Sequence, residues 1–142
     1  QLSLGACAEW LWSGYALKHP ELKIAMSEGG IGWVPMLIDR LEIMSHRNGY
    51  AGDWSTPPSE VLRRNFWFCT FDDPSTIDLR HVIGIDHIMV EVDYPHGDSI
   101  WPNVQRTIGD TWGHIPDDEV RKMCSLNAAA LYRHPLPAVV LP

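Results

Sequence analysis

The chain has 142 residues, 45% of them hydrophobic and 20% charged, a composition that packs a core and excludes a disordered or fibrous polymer. Eleven Lys+Arg against eighteen Asp+Glu leave a net charge of -7 without any basic stripe, so nucleic acid and anionic membrane surfaces are excluded as expected partners. No apolar run approaches the ~20 residues that cross a bilayer, and Gln1–Ala6 has neither the basic start nor the apolar stretch of an export signal.

In chain order, apolar residues at Leu4, Ala8, Leu11, Trp12, Tyr15 and Ala16 predict a helix over 2–18, halted by His19-Pro20. Leu22–Glu28 reads as a strand closed by Gly29-Gly30, and Ile31–Met44 as a second helix with Val34, Leu37, Ile38 and Leu41 on one face. His46–Pro58, rich in Gly, Asn, Asp, Ser and Pro, is a loop of a length that often carries function. A short helix at Ser59–Arg64 leads to a buried strand, Asn65–Phe71. Asp72–Thr76 is turn and cap chemistry before a helix ending at Ile83, and a third strand spans His87–Asp93. Helices follow at Ile100–Gly109 and Pro116–Arg133, with Pro116 as the first helical residue, and the tail from Pro135 is irregular.

Strands alternating with helices predict one α/β unit, residues 1–142, with parallel strands and right-handed crossovers. Three parallel strands alone leave two open edges, whereas a closed βα barrel has eight, and the first residue is Gln1 rather than Met. Both features point to a piece of a longer protein. Cys7, Cys69 and Cys124 are too few and too scattered for a disulfide framework, so reduced, inert thiols and a cytoplasmic location are expected.

In parallel α/β folds, functional side chains collect where strands end. Glu28 closes the first strand and Asp93 the third, each followed by backbone-breaking residues, Gly29-Gly30 and Tyr94-Pro95. Period-2 alternation puts Glu91 on the face of Asp93, as a substrate contact or as a paired acid supporting the site. His96, three residues past Asp93, is the histidine placed to move a proton or orient a substrate, while His87 at the other end of that strand is structural. Trp33, Trp54 and Trp101 are candidates to wall an apolar pocket, with core packing as the alternative. There is no His-x-His, His-Glu-x-x-His or Cys-x-x-Cys, and no Gly-rich phosphate loop, so Glu28 and Asp93 supply only part of a metal site.

Four ordered motifs carry a resemblance: Pro20–Pro35 with its Ser-Glu-Gly-Gly, Asp39-Arg40, Val90–His96, and Asn127–Tyr132. Together they resemble the C-terminal half of an amidohydrolase, of the branch containing aminocarboxymuconate-semialdehyde decarboxylase and related metal-dependent hydrolases. The resemblance implies a partial TIM (β/α)8 barrel, with the three strands as barrel strands six, seven and eight. It implies a divalent metal, zinc first and manganese second, with Asp93 as ligand and proton carrier. Glu28 falls where the decarboxylases carry a histidine, and is a candidate second ligand. Beside the resemblance, the residue reading keeps Trp33, Glu91 and Trp101 as contacts for a small substrate, aromatic or carboxylate-bearing, and His96 with Asp93 as the catalytic candidates. The family's first-strand His-x-His and fifth-strand histidine have no counterpart here, so this chain alone is expected to bind metal weakly and to be inactive. The alternative expectation is a non-catalytic half-barrel, a homo-oligomer that self-associates through its open sheet edges.

Overall fold

The computed structural model describes residues 2–47, 53–71 and 73–138. Its centre is a three-stranded parallel sheet in the order β1-β2-β3, formed by Ile24–Met26, Phe66–Thr70 and Ile88–Val90. The register sets Ile24 beside Phe66 and Met26 beside Phe68, then Phe68 beside Ile88 and Thr70 beside Val90. Parallel neighbours cannot be joined by tight hairpins, so helical segments make each return. Helices α1 (Leu2–Trp12) and α2 (Tyr15–Lys18) precede β1; α3 (Val34–Arg47) and α4 (Pro58–Asn65) carry the chain to β2. A 3-10 turn, α5 (Arg80–Ile83) and a second 3-10 turn lead to β3. After it come α6 (Val104–Trp112), α7 (Asp117–Arg121), a π-helical turn over Lys122–Leu126, and α8 (Asn127–Tyr132).

Period-2 alternation divides the sheet into two faces. Ile24, Met26, Phe66, Phe68, Ile88 and Val90 join the main apolar cluster with Leu11, Val34, Ile38, Leu41, Leu62 and Met123 from the helices. Ala25, Trp67, Cys69 and Met89 fall outside that cluster, on the opposite face, where Ala25 is exposed. At the amino end of this second face Trp67 stacks on His87 with centroids 4.5 Å apart, and Lys23 Nζ lies 5.5 Å from the Trp67 ring. His87 Nδ1 also sits 2.8 Å from the Phe66 carbonyl, which gives this histidine a packing partner on each side.

The structure departs from the sequence expectations in several places, among them the helix expected over Ile100–Gly109, which runs Val104–Trp112, and the one expected over Pro116–Arg133, which is interrupted by a π-helical turn. The single helix over 2–18 is two, because Gly14 takes a left-handed φ of 72° that breaks the helical ladder between them. The strands are shorter than the apolar runs, since Glu28 and Asp93 both turn out of extended geometry at φ 55°. Pro116 caps α7 with an extended ψ of 139° and is not its first helical residue. Helix α3 continues through Arg47, into the expected loop, whose residues 48–52 lie outside those described, as does Asp72 of the expected turn.

Two buried asparagines tie connections to the sheet. Asn65, fully buried, donates its amide to the Leu22 carbonyl at 2.6 Å and the His19 carbonyl at 3.2 Å, and so fixes the approach to β1. Asn127 donates to the Ile85 and Ile88 carbonyls, both at 2.7 Å, which pins α8 to the start of β3. Removing such a group strands buried carbonyls without donors. Asn127→Ala is therefore expected to lower stability by about 2 kcal/mol, read from the shift in urea midpoint at unchanged slope; a change within measurement error would remove the tie from the account.

Candidate functional site

The carboxyl ends of the strands carry an acidic residue or more apiece, and two of these residues have left-handed backbones. Glu28 and Asp93 both lie in the left-handed region, which Asp enters readily but a Glu seldom does, at a cost of about 1 kcal/mol or more for Glu28. Such strain persists only where surrounding contacts over-determine it, and around β1 they do. Glu91 accepts from the Ser27 hydroxyl and, at 2.7 Å, from the Glu28 amide, spanning from β3 across to β1. Asp73, just past β2, accepts from the Thr70 hydroxyl at 2.5 Å and the Ile31 amide at 3.3 Å. Gly30, at φ 60°, faces Asp73 so closely that an added Cβ would sit 3.1 Å from its Oδ1. Trp33 completes the brace: its indole N–H donates to the Gly29 carbonyl at 2.9 Å and its ring meets Phe68 edge-on.

Asp93 and His96 are brought together. Asp93 Oδ2 lies 2.9 Å from His96 Nδ1, and Asp98 Oδ1 lies 2.5 Å from the same nitrogen. The Asp93 side chain is only 17% exposed while those of His96 and Asp98 are open to solvent. Asp98, the nearer partner, followed by the charges of Asp93 and Glu28, raises His96 above the ordinary imidazole value. The sign then follows: the imidazolium contacts stabilise fully below the unfolded-state pKa and fade as pH climbs through the raised folded value. Asp98→Asn is expected to move the His96 midpoint downward in an NMR titration of the metal-free chain, and an unmoved midpoint would refute the pairing.

The remaining candidates are placed as follows. Both oxygens of Glu91 are engaged by β1, and burial, then the charge and hydrogen bond of Glu91, push the neighbouring Cys69 thiol up to about 12. Glu28 is exposed at the turn after β1. Trp33 packs partly buried against the core. Trp101 is 58% exposed and pairs with Tyr94, ring centroids 5.6 Å apart, on the loop that also holds His96. Trp54 packs edge-on against Trp12, on α1. Ser27, Asp73 and Asp98 were not singled out by sequence reasoning; the His96-x-Asp98 spacing was the available signal for the last of them.

Asp93, His96 and Asp98 can each offer one ligand atom, all within 4.8 Å of one another. Two carboxylate oxygens and an imidazole nitrogen form a donor set that suits zinc or manganese. They fit only as part of a coordination sphere: three donors fall short of the four a zinc site takes, and His96 Nδ1 already faces both acids.

Parallel strands with acids and a histidine gathered at their carboxyl edge define an α/β protein of the kind that places chemistry at strand ends. The chain belongs to the amidohydrolase family, whose model matches residues 10–134. Among solved structures it is similar to an amidohydrolase from Mycobacterium avium subsp. paratuberculosis K-10, with 27% identity and a TM-score of 0.74 over 88% of this chain. It is also similar to 5-carboxyvanillate decarboxylase from Sphingomonas paucimobilis, with 27% identity and a TM-score of 0.69 over 92% of this chain. The match spans 32% of the first of those chains and 39% of the second, so this chain covers well under half the length of either. No curated protein matches it. Among the described residues no helix is long and apolar enough to cross a membrane.

Proposed function

We propose that the chain is the C-terminal portion of a TIM-barrel amidohydrolase, contributing barrel strands six to eight and one part of a divalent-metal site. The branch is that of the metal-dependent hydrolases and decarboxylases related to aminocarboxymuconate-semialdehyde decarboxylase. The observation that carries this reading is Asp93: a carboxylate at a strand's end, left-handed at φ 55°, mostly shielded and held 2.9 Å from His96. Asp93 would hold the ion, zinc or manganese, with its remaining anchors outside this chain. When bound, a divalent ion activates water or polarises a substrate oxygen. The residues of this chain do the rest: Asp93 accepts a proton, and His96, fixed by Asp98, receives or returns it. Trp101 with Tyr94 supplies an exposed aromatic wall suited to a small aromatic substrate. The three free cysteines fit a reducing compartment, the cytoplasm.

The test is metal titration of this chain and of a polypeptide that also carries upstream strands. Weak binding by the former and stoichiometric binding by the latter are expected; tight, stoichiometric zinc on this chain alone would overturn the reading of a shared site.

A second reading, a half-barrel that self-associates, is favoured by one observation: among the described residues β1 and β3 each pair on one side only. Sedimentation over a concentration series tests it, with a dimer or larger species at micromolar concentration as its expected result and a monomer throughout as its refutation.

A further inference from the structure

Glu91 lies on β3's continuation, yet its bonds go to β1. Its Oε1 takes the Ser27 hydroxyl and its Oε2 takes the Glu28 amide at 2.7 Å, while its own amide donates to the Thr70 carbonyl at 3.0 Å. One residue thus connects the carboxyl ends of all three strands. With both oxygens occupied and the Cys69 thiol beside it, Glu91 has little capacity left for a metal or substrate. The residue it holds is the opposite case. Glu28 is exposed, and its carboxylate makes no hydrogen bond or ion pair among the described residues, while its charge acts on His96. Gly29 and Gly30 lock the turn from the other side: an added Cβ on Gly29 would meet the Ser3 hydroxyl at 2.7 Å, and one on Gly30 would crowd Asp73.

We propose that Glu91 is a positioning residue: by accepting from Ser27 and from the Glu28 amide, it holds the β1 turn so that the Glu28 carboxylate is presented at the sheet end shared by Asp93 and His96. This rests on the reading of that end as a metal site. A carboxylate has the charge and the two acceptors to hold both donors at once. A glutamine keeps the size but only one acceptor oxygen, so it holds the turn less firmly.

The experiment has two arms on the full chain, with Glu91→Ala and the isosteric Glu91→Gln, the second guarding against loss of fold. In the first arm, without metal, exchange of the Glu28 amide is followed by NMR. It is expected to speed by about tenfold or more in Glu91→Ala, and by less in Glu91→Gln, while the Phe68 and Ile88 amides keep their rates; unchanged Glu28 exchange in both variants overturns the proposal. In the second arm Mn²⁺ alone is the probe. The native chain is expected to show paramagnetic broadening at Asp93, His96 and the Glu28 side chain, and the variants to lose it at Glu28 only. Broadening at Glu28 that persists undiminished in the variants overturns the positioning role. Failure of the metal reading looks different: Asp93 and His96 then stay sharp in every protein, and the exchange arm still decides whether Glu91 holds the turn.

Discussion

Phe68→Ala is expected to destabilise the chain by about 4 kcal/mol and to loosen the turn that carries Glu28, two effects of one side chain. Phe68 is 1% exposed in the centre strand, so truncation removes a full aromatic volume and leaves a cavity that the surrounding helices fill only in part. The ring is also the edge-on partner of Trp33, with centroids 5.5 Å apart, a contact that contributes on the order of 1 kcal/mol beyond burial. Trp33 in turn donates its indole N–H to Gly29, one residue past Glu28. Phe66, two residues earlier on the same face and fully buried, separates the two effects. Phe66→Ala should cost about as much stability yet leave the Trp33 indole N–H protected from exchange, because Phe66 pairs with Ile24 at the far end of β1. Urea unfolding and the indole resonance read both quantities. Equal loss of indole protection in the two variants would mean that the core and the turn are not coupled through Phe68.

Much of this architecture was legible in the sequence, and the exceptions have physical causes. The three strands and their parallel pairing follow from apolar runs separated by helical periodicity, which local pattern reports well. Gly14 within the first helical pattern gave no periodic warning, because apolar spacing continues across it while the backbone turns left-handed. The ends of the strands were harder. Alternation placed Glu91 and Asp93 on one face, but the extended geometry stops at Val90 and Asp93 is left-handed, so period-2 reasoning does not hold there. Glu28 and Asp93 were identifiable as strand-end acids. The bonds of Glu91 to Ser27 and Glu28 were not, since they join residues more than sixty positions apart and depend on the β1-β2-β3 register. Asp73 escaped notice for the same reason: its role lies in the Ile31 amide, 42 positions earlier, that it accepts from.

In a polypeptide that carries the complete site, Asp93→Asn is expected to lower kcat/KM by about a thousandfold, the scale of a lost proton-transferring group, with stability changed by less than about 1 kcal/mol. The substitution is informative because of the backbone. At φ 55° an alanine would add conformational strain to the loss of the carboxylate, and the two could not be told apart. Asparagine tolerates that region at least as well as aspartate, keeps the side-chain shape and can still accept from His96. What it loses is charge and basicity: a carboxamide neither neutralises a divalent ion nor takes up a proton at neutral pH. His96 retains Asp98 at 2.5 Å, so the imidazole stays in place and its loss cannot explain the fall in rate. Steady-state kinetics beside a urea melt of the same preparation separate the possibilities. Turnover near the native level, with the fold intact, would remove Asp93 from the chemistry and with it the assignment of this strand end as the metal site.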